Sequence, residues 1–306
     1  MTIAVCCTLA DGVVLGTDSA ITVTGQVKTP QGVLPGGVLK VYNDAEKVFG
    51  FHVDVQKDLR LPVGLVTYGL ATLGNRTIES FVREFELDHK PADLKKLKME
   101  ELCTELHGFF RKRYVELLGK AIAAQGRKLE DVPPEQRALG FFVGGFSPDE
   151  PLPEAWEVNV HLDDKATRVN RIREPGNFGS NWGGQFGGVH RFHKGYDQQA
   201  IDALLNALVA EYKMVDPENA AQLARISAIV TSALAPFEYQ VPFAAMPLQE
   251  GIDYTAFLLD MMILQHRFVF GAPTCGGNVR IAVVRKHEGF QWVTGREYEV
   301  RGSRYV

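Results

Sequence analysis

Hydrophobic and polar positions along the chain fall into blocks of two different periods. Thr2 to Leu9 is a run of β-branched and small apolar residues. Asp11-Gly12 is a hairpin signal, and Val13 to Thr17 resumes the apolar run, so two strands and a tight turn are predicted. Residues 24–37 hold Pro30, Pro35 and four glycines and read as a loop. Lys47 to Val53 alternates as a strand does, and Pro62 to Tyr68 is a second, buried strand ending at Gly69. The period then changes. Ile78, Phe81, Val82 and Phe85 stand at helical spacing, and Asp93 caps a longer helix that runs through Leu117 and stops by Gly126. Strands return at Leu139 to Phe146 and at Ala155 to Leu162, the second with Trp156, Val158, Val160 and Leu162 on one face. Residues 163–195 are glycine-rich and irregular. Asp197 caps a helix carrying Ile201, Leu204, Leu205, Leu208 and Tyr212, and a second helix covers 217–234 behind Pro217. Residues 235–248 read as a loop with three prolines, and Asp253 to Phe268 is helical. Val279 to Val284, Phe290 to Thr294 and a short Tyr298 to Val300 close the chain as strands. This order, with its hairpins and separated helical pairs, predicts an α+β layered fold rather than a doubly wound parallel sheet.

Composition narrows the class. The chain is 45% hydrophobic and 23% charged, which excludes disorder, a collagen and a coiled coil. The late apolar run Phe257 to Leu264 is broken by Asp260, and no stretch approaches the ~20 apolar residues of a membrane span, so no membrane partner is expected. The opening MTIAVCCTLADG lacks the basic region of a signal peptide. A net charge of −4 gives no reason to expect nucleic acid. Four scattered cysteines make no disulfide framework, and Cys6 and Cys7 would point to opposite faces of a strand; a reducing cytoplasm is the expected compartment. His190 and His193 have an HxxH spacing without an evident third ligand, so a structural role is favoured and no metal or cofactor is expected.

The candidate chemistry lies in the first 86 residues. Thr2 stands behind the initiator Met, and IAVCCTLADGVVLGTDSA runs strand, turn, strand to Asp18-Ser19. DAEKVFGF then sets Lys47 at the head of a strand, and VGLVTYGLATLGNRTIESFVREF passes from a buried strand through Gly69 into an amphipathic helix. This succession resembles the proteasome β-subunit family and its bacterial relatives from ATP-dependent proteases, which are N-terminal-nucleophile hydrolases. The resemblance implies a four-layer αββα sandwich with the Thr2 strand at its centre and helical pairs outside. It implies that Thr2, once Met1 is removed, attacks an amide carbonyl with its own α-amino group as the base. That group has an ordinary pKa near 7.7–8.0, so part of it is neutral at pH 7. By the same resemblance Lys47 is the ammonium beside the amine, Asp18 holds Lys47, and the Gly69 N–H stabilises the oxyanion, a contribution of about 10²–10³ in rate.

The pattern departs from the family at three places. The interval from Asp18 to Lys47 carries the insert VKTPQGVLPGGVLK, and Lys40 is a rival to Lys47 if the pairing shifts. The family's Gly-Ser-Gly corresponds to NFGSNWGGQFGG, where Ser180 supplies the hydroxyl in one alignment and Gly184 removes it in another. The late Asp and Ser correspond to FGAPTCGGNV, where Gly276-Gly277 fit, Cys275 or Thr274 stands for the serine, and Ala272 or a neighbour replaces the aspartate. The expected function is therefore hydrolysis of a peptide or protein substrate by Thr2, Asp18, Lys47, Gly69 and Ser180. The alternatives are an inactive structural relative and a small-molecule amidase with its pocket in 176–195. The resemblance also implies a homo-oligomer, ring or related, and leaves an ATPase partner open. One domain over residues 1–306, enlarged by inserts at about 24–40 and 196–248, accounts for the length.

Overall fold

The computed structural model describes residues 2–29, 32–54, 59–124, 126, 128, 132, 137–162, 168–212, 220–270 and 275–294. Their internal contacts form two compact units, residues 1–185 with 243–306, and residues 186–242.

The first unit begins with β1 (Ile3–Leu9), β2 (Gly12–Thr17), β3 (Ile21–Thr29), β4 (Gly32–Tyr42), β5 (Val48–Asp54) and β6 (Leu59–Gly69). The short ladder β7 (Thr72–Leu73) and β8 (Arg76–Thr77) leads into α1 (Ile78–Asp88). A single turn, α2 (Pro91–Leu94), precedes α3 (Met99–Tyr114), which passes through a π-turn at Val115–Gly119 into α4 (Lys120–Ala124). Then come β9 (Leu139–Gly145), β10 (Glu154–Val160), β11 (Arg168–Arg173) and β12 (Gly179–Gly184). The second unit holds α5 (Gly187–Lys194), α6 (Gln198–Tyr212) and α7 (Ala220–Leu234). The chain rejoins the first unit for α8 (Leu248–Phe268), β13 (Arg280–Arg285) and β14 (Gly289–Thr294).

This is a mixed α/β structure whose strand pairs are antiparallel. One five-stranded sheet has the order β12-β1-β2-β13-β14 and the other β11-β10-β9-β6-β5. Alternation sorts the side chains of β1 and β2. Ala4, Cys6, Val13 and Leu15 join Val48, Val66, Phe142, Val284 and Phe290 in a core between the sheets. The opposite face of the first sheet meets α8: a Cβ on Gly16 would stand 2.5 Å from the Thr255 methyl and 2.9 Å from Leu259. The second sheet packs its other face on α1 and α3, where Phe81, Phe85, Phe110 and Phe141 are fully buried. The Phe110 and Phe141 rings lie 4.6 Å apart. Burying such side chains contributes about 1.5–3 kcal/mol each.

Several expectations are corrected. Residues 24–29 and 32–37 are not a loop but belong to the paired strands β3 and β4, a separate two-stranded ribbon with two register shifts. A ribbon with two free edges tolerates Pro35 and glycines that a central strand would not, and its shifts erase the alternation. Residues 163–195 are not wholly irregular: they contain β11, β12 and α5. The glycines of β12 serve close approach. A Cβ at Gly183 would fall 2.8 Å from the Tyr68 ring, and one at Gly179 would meet the Arg173 guanidinium at 2.6 Å. The long helix starts at Met99 rather than after Asp93, because the Lys98 N–H donates to Glu101 and the Met99 N–H to Ser147 Oγ, capping it there. The last helix starts at Leu248, earlier than Asp253. The short strand expected at 298–300 lies outside the described residues. In the second unit Asp197 caps α6 as expected, its Oδ1 accepting from the Gln199 N–H at 2.7 Å and the Ala200 N–H at 3.3 Å.

Candidate active site

Thr2 is 3% exposed and immediately precedes β1. Its carbonyl accepts the Gln185 N–H at 2.7 Å, which ties the start of the chain to the end of β12. Asp18 leaves β2 fully buried. Its Oδ1 accepts the Ile3 N–H at 3.2 Å and the Lys47 ammonium at 2.9 Å. Its Oδ2 accepts the Ala20 N–H at 3.3 Å and the Gly276 N–H at 3.0 Å. A carboxylate taken out of water needs this number of donors to remain charged at little cost. Lys47, just ahead of β5 and 3% exposed, adds a bond to the Ala20 carbonyl at 2.6 Å.

Ser19 extends the junction. Its hydroxyl donates to the Asn43 carbonyl and accepts the Asn278 N–H at 2.7 Å, and its own N–H reaches the Gly276 carbonyl at 3.2 Å. The Gly276-Gly277 pair thus packs on Asp18-Ser19. Gly277 has φ +75°, and a Cβ there would stand 2.5 Å from the Ser19 hydroxyl.

A cavity of about 180 Å³ opens at this junction. Thr2, Lys47, Thr67, Tyr68 and Leu70 are among the residues lining it, with Asp44, Glu46 and Glu79. Gly69, between Tyr68 and Leu70, has φ +88°, and a Cβ there would lie 2.1 Å from the Ala138 carbonyl oxygen, so only glycine fits. The Leu70 N–H donates to that same carbonyl at 2.8 Å. Burial pushes the Glu46 carboxyl up to about 7, against the lowering effect of the Val48 N–H and Arg280.

The structure therefore brings Thr2, Asp18 and Lys47 together, and Gly69 lies in the chain between two residues that line the cavity, Tyr68 and Leu70. It does not bring Ser180. Ser180 pairs with Cys7 in the β1–β12 register, five residues along the strand from Thr2, or about 17 Å at ~3.4 Å per residue. Strand parity turns it with Cys7 toward α8, where it interacts with Tyr254. Gly184, opposite Ile3, holds the place beside Thr2: its φ is +80°, and a Cβ would lie 1.9 Å from the Thr2 carbonyl oxygen. Lys40 is exposed on β4 over the Tyr42 ring and is not the Asp18 partner. Cys275 is buried beside Gly276, while Ala272 and Thr274 lie outside the described residues.

By resemblance the Gly276-Gly277 pair was already matched to the family, but the bonds of the Gly276 and Ile3 N–H groups to Asp18, and Glu46 as part of this junction, were missed. His266, on α8, feels the Asp18 charge, which opposes the lowering of its pKa by burial. Among the described residues no group of three or more His, Cys, Asp or Glu is arranged to hold a metal ion, and no helix is long and apolar enough to cross a membrane.

No family model matches the chain, and no curated protein matches it. Among solved structures it is similar to the Anbu (Gly-1) mutant from Hyphomicrobium sp. strain MC1, with 10% identity and a TM-score of 0.48 over 97% of this chain and 89% of that one.

Proposed function

We propose that this chain is a threonine-type amide hydrolase acting on peptide bonds, built on a four-layer αββα sandwich of the proteasome β-subunit kind. The observation that carries this reading is the meeting of Thr2 and Lys47 at one cavity, with Asp18 bonded both to Lys47 and to the amide next to Thr2.

Removal of Met1 frees the Thr2 α-amine. The neutral amine takes the proton of the Thr2 hydroxyl as its oxygen attacks the substrate carbonyl carbon. The Lys47 ammonium favours the neutral amine, and Asp18 fixes the ammonium in place. The Gly69 N–H faces the negative charge that develops on the carbonyl oxygen. The amine leaving group departs with the proton. Water then hydrolyses the threonine ester, and the α-amine again acts as base. Ser180 has no part in this scheme. No cofactor enters it. Assembly of several copies into a ring is part of the same proposal, and the inserts at 24–40 and 196–248 are where this single enlarged domain would differ from its relatives.

Gly184 beside the Thr2 carbonyl, in place of a hydroxyl, favours a second reading: the same fold kept for assembly without hydrolysis. One experiment decides. Intact mass establishes Met1 removal, and an electrophile that labels N-terminal threonine is added alongside a fluorogenic peptide assay. Labelling and turnover that both vanish in Thr2→Ala support hydrolysis. A Met-free chain that neither labels nor turns over any peptide leaves the assembly reading.

A further inference from the structure

The aim of the Gly69 N–H is set by its strand, since the N–H groups of β6 point alternately to one side and the other. The Thr67 N–H donates to the Lys47 carbonyl at 2.9 Å, on the β5 side. The Leu70 N–H donates to the Ala138 carbonyl at 2.8 Å, on the β9 side. The Gly69 N–H, two residues on from Thr67, therefore points to the Lys47 side. No strand answers it there, because β5 starts only at Val48, opposite Val66.

The peptide that carries this N–H joins Gly69 to Tyr68, and the Tyr68 side chain is held at three points. Its Cβ packs on the end of β12, where a Cβ at Gly184 would lie 3.5 Å from it. Its ring fills a slot cut by glycines: a Cβ at Gly183 would stand 2.8 Å from the ring, and one at Gly140, opposite Tyr68 in the β6–β9 register, would run into the phenol. Its hydroxyl donates to Glu157 Oε1 at 2.6 Å and lies 3.0 Å from Asn159 Oδ1, both on β10, two strands away. The bond to a carboxylate is of the stronger, charge-assisted kind. Burial and the Glu157 charge push the phenol up, so it keeps its proton throughout the neutral range.

Tyr68 thus joins two parts of the proposed reaction. Gly184 packs on the Thr2 carbonyl, and the Gln185 N–H bonds it at 2.7 Å. Tyr68 touches that strand end with its side chain and carries Gly69 on its backbone. Packing alone does not call for a phenol: a phenylalanine at this position would keep the slot and the contact with the Phe142 ring, 5.1 Å away. What the hydroxyl adds is a fixed end. We infer that Tyr68 is a positioning residue, tied by its hydroxyl to Glu157, that sets the distance and angle between Thr2 and the Gly69 N–H. This rests on the proposed hydrolysis and adds a residue to it. A donor that drifts from the developing oxyanion loses part of its hold on the transition state, while substrate binding changes little.

The test is the kinetics of the full-length, Met-free chain on a fluorogenic peptide, with Tyr68→Phe and Glu157→Gln compared at a temperature well below each Tm. Tyr68→Phe should lower kcat about tenfold with KM within about twofold. Its pH profile should stay where it is, because the α-amine and Lys47 are untouched. Glu157→Gln, which keeps an acceptor without the charge, should fall between Tyr68→Phe and the wild type. A reversible peptide aldehyde, whose adduct carries the oxyanion, should bind Tyr68→Phe more weakly by the same factor as the fall in kcat. Thr2-dependent turnover with wild-type kcat in either variant, or with a change in KM alone, overturns the role of Tyr68 and keeps the hydrolase. A fall in kcat that comes with a shifted pH profile does the same, since it places the damage at the amine. Absence of Thr2-dependent turnover in the wild-type chain removes both.

Discussion

Lys47 and Asp18 form an ion pair that water scarcely reaches, with side chains 4% and 0% exposed. Such a pair is a weak source of net stability while intact and a strong liability when halved, since an unanswered buried charge costs about 3–5 kcal/mol. Asp18→Ala should therefore lower unfolding free energy by about that amount in urea titration, and Lys47→Met combined with it should recover part of the loss. Recovery would show that the lone ammonium, and not the missing carboxylate bonds to Ile3 and Gly276, dominates the damage. The pair was legible in the sequence only through the family resemblance of the two segments that carry it, since β1 and β2 are buried on both faces and show no alternation. Ser180 was misplaced for a related reason: NFGSNWGG has too little side-chain pattern to fix a register, and one shift of four positions exchanges Ser180 for Gly184. The backbone donors to Asp18 were invisible because N–H groups of the main chain leave no mark in a sequence.

At the scale of elements, α1 shows how local signals and packing agree. Thr77 caps it, its hydroxyl accepting from the Ser80 N–H at 3.3 Å, and Ile78, Phe81, Val82 and Phe85 form its buried face. Thr77→Ala should cost about 1 kcal/mol. A thermal melt reads this as a modest fall in Tm, and peptide turnover on the Thr2 side of the helix should weaken with it, because Thr77 and Ile78 line the cavity. Elements with this consistency were readable from side-chain pattern alone: β1, β2, β9, β10, α1 and α6. Those that were not share a cause. β12 and the β3–β4 ribbon are strands by pairing rather than by side-chain pattern, and their glycines and Pro35 imitate loop chemistry. The start of α3 was displaced because its cap is completed by Ser147, a residue distant in sequence.

At the scale of the whole molecule, two buried groups in different units, His193 and Glu46, answer acid in opposite ways. In residues 186–242, burial lowers the His193 pKa to about 4, helped by Lys194 and opposed by Glu238. An unfolded histidine titrates near 6.5, so between pH 6.5 and 4 the unfolded state binds more protons and the contribution of His193 to stability is lost as pH falls. Glu46, in the other unit, is raised to about 7 from an ordinary 4.5, so there the folded state binds more protons and stability falls as pH rises across that range. Hydrogen exchange followed by mass spectrometry should show faster exchange over 187–194 on going from pH 7 to pH 5. Over the same change, residues around 46–48 should become better protected, an effect abolished by Glu46→Gln. The order of the first sheet has a consequence of another kind. Its first-made strands, β1 and β2, lie between β12 and β13, and Asp18 draws one donor from Gly276, 258 residues further on. During synthesis the hairpin must wait with both edges bare while the ribosome makes most of the chain. The junction around Asp18 closes only when that late segment has emerged, so a nascent chain that lacks it carries Thr2 and Lys47 without a finished setting, and hydrolysis of the proposed kind would begin only after residue 276 has been made.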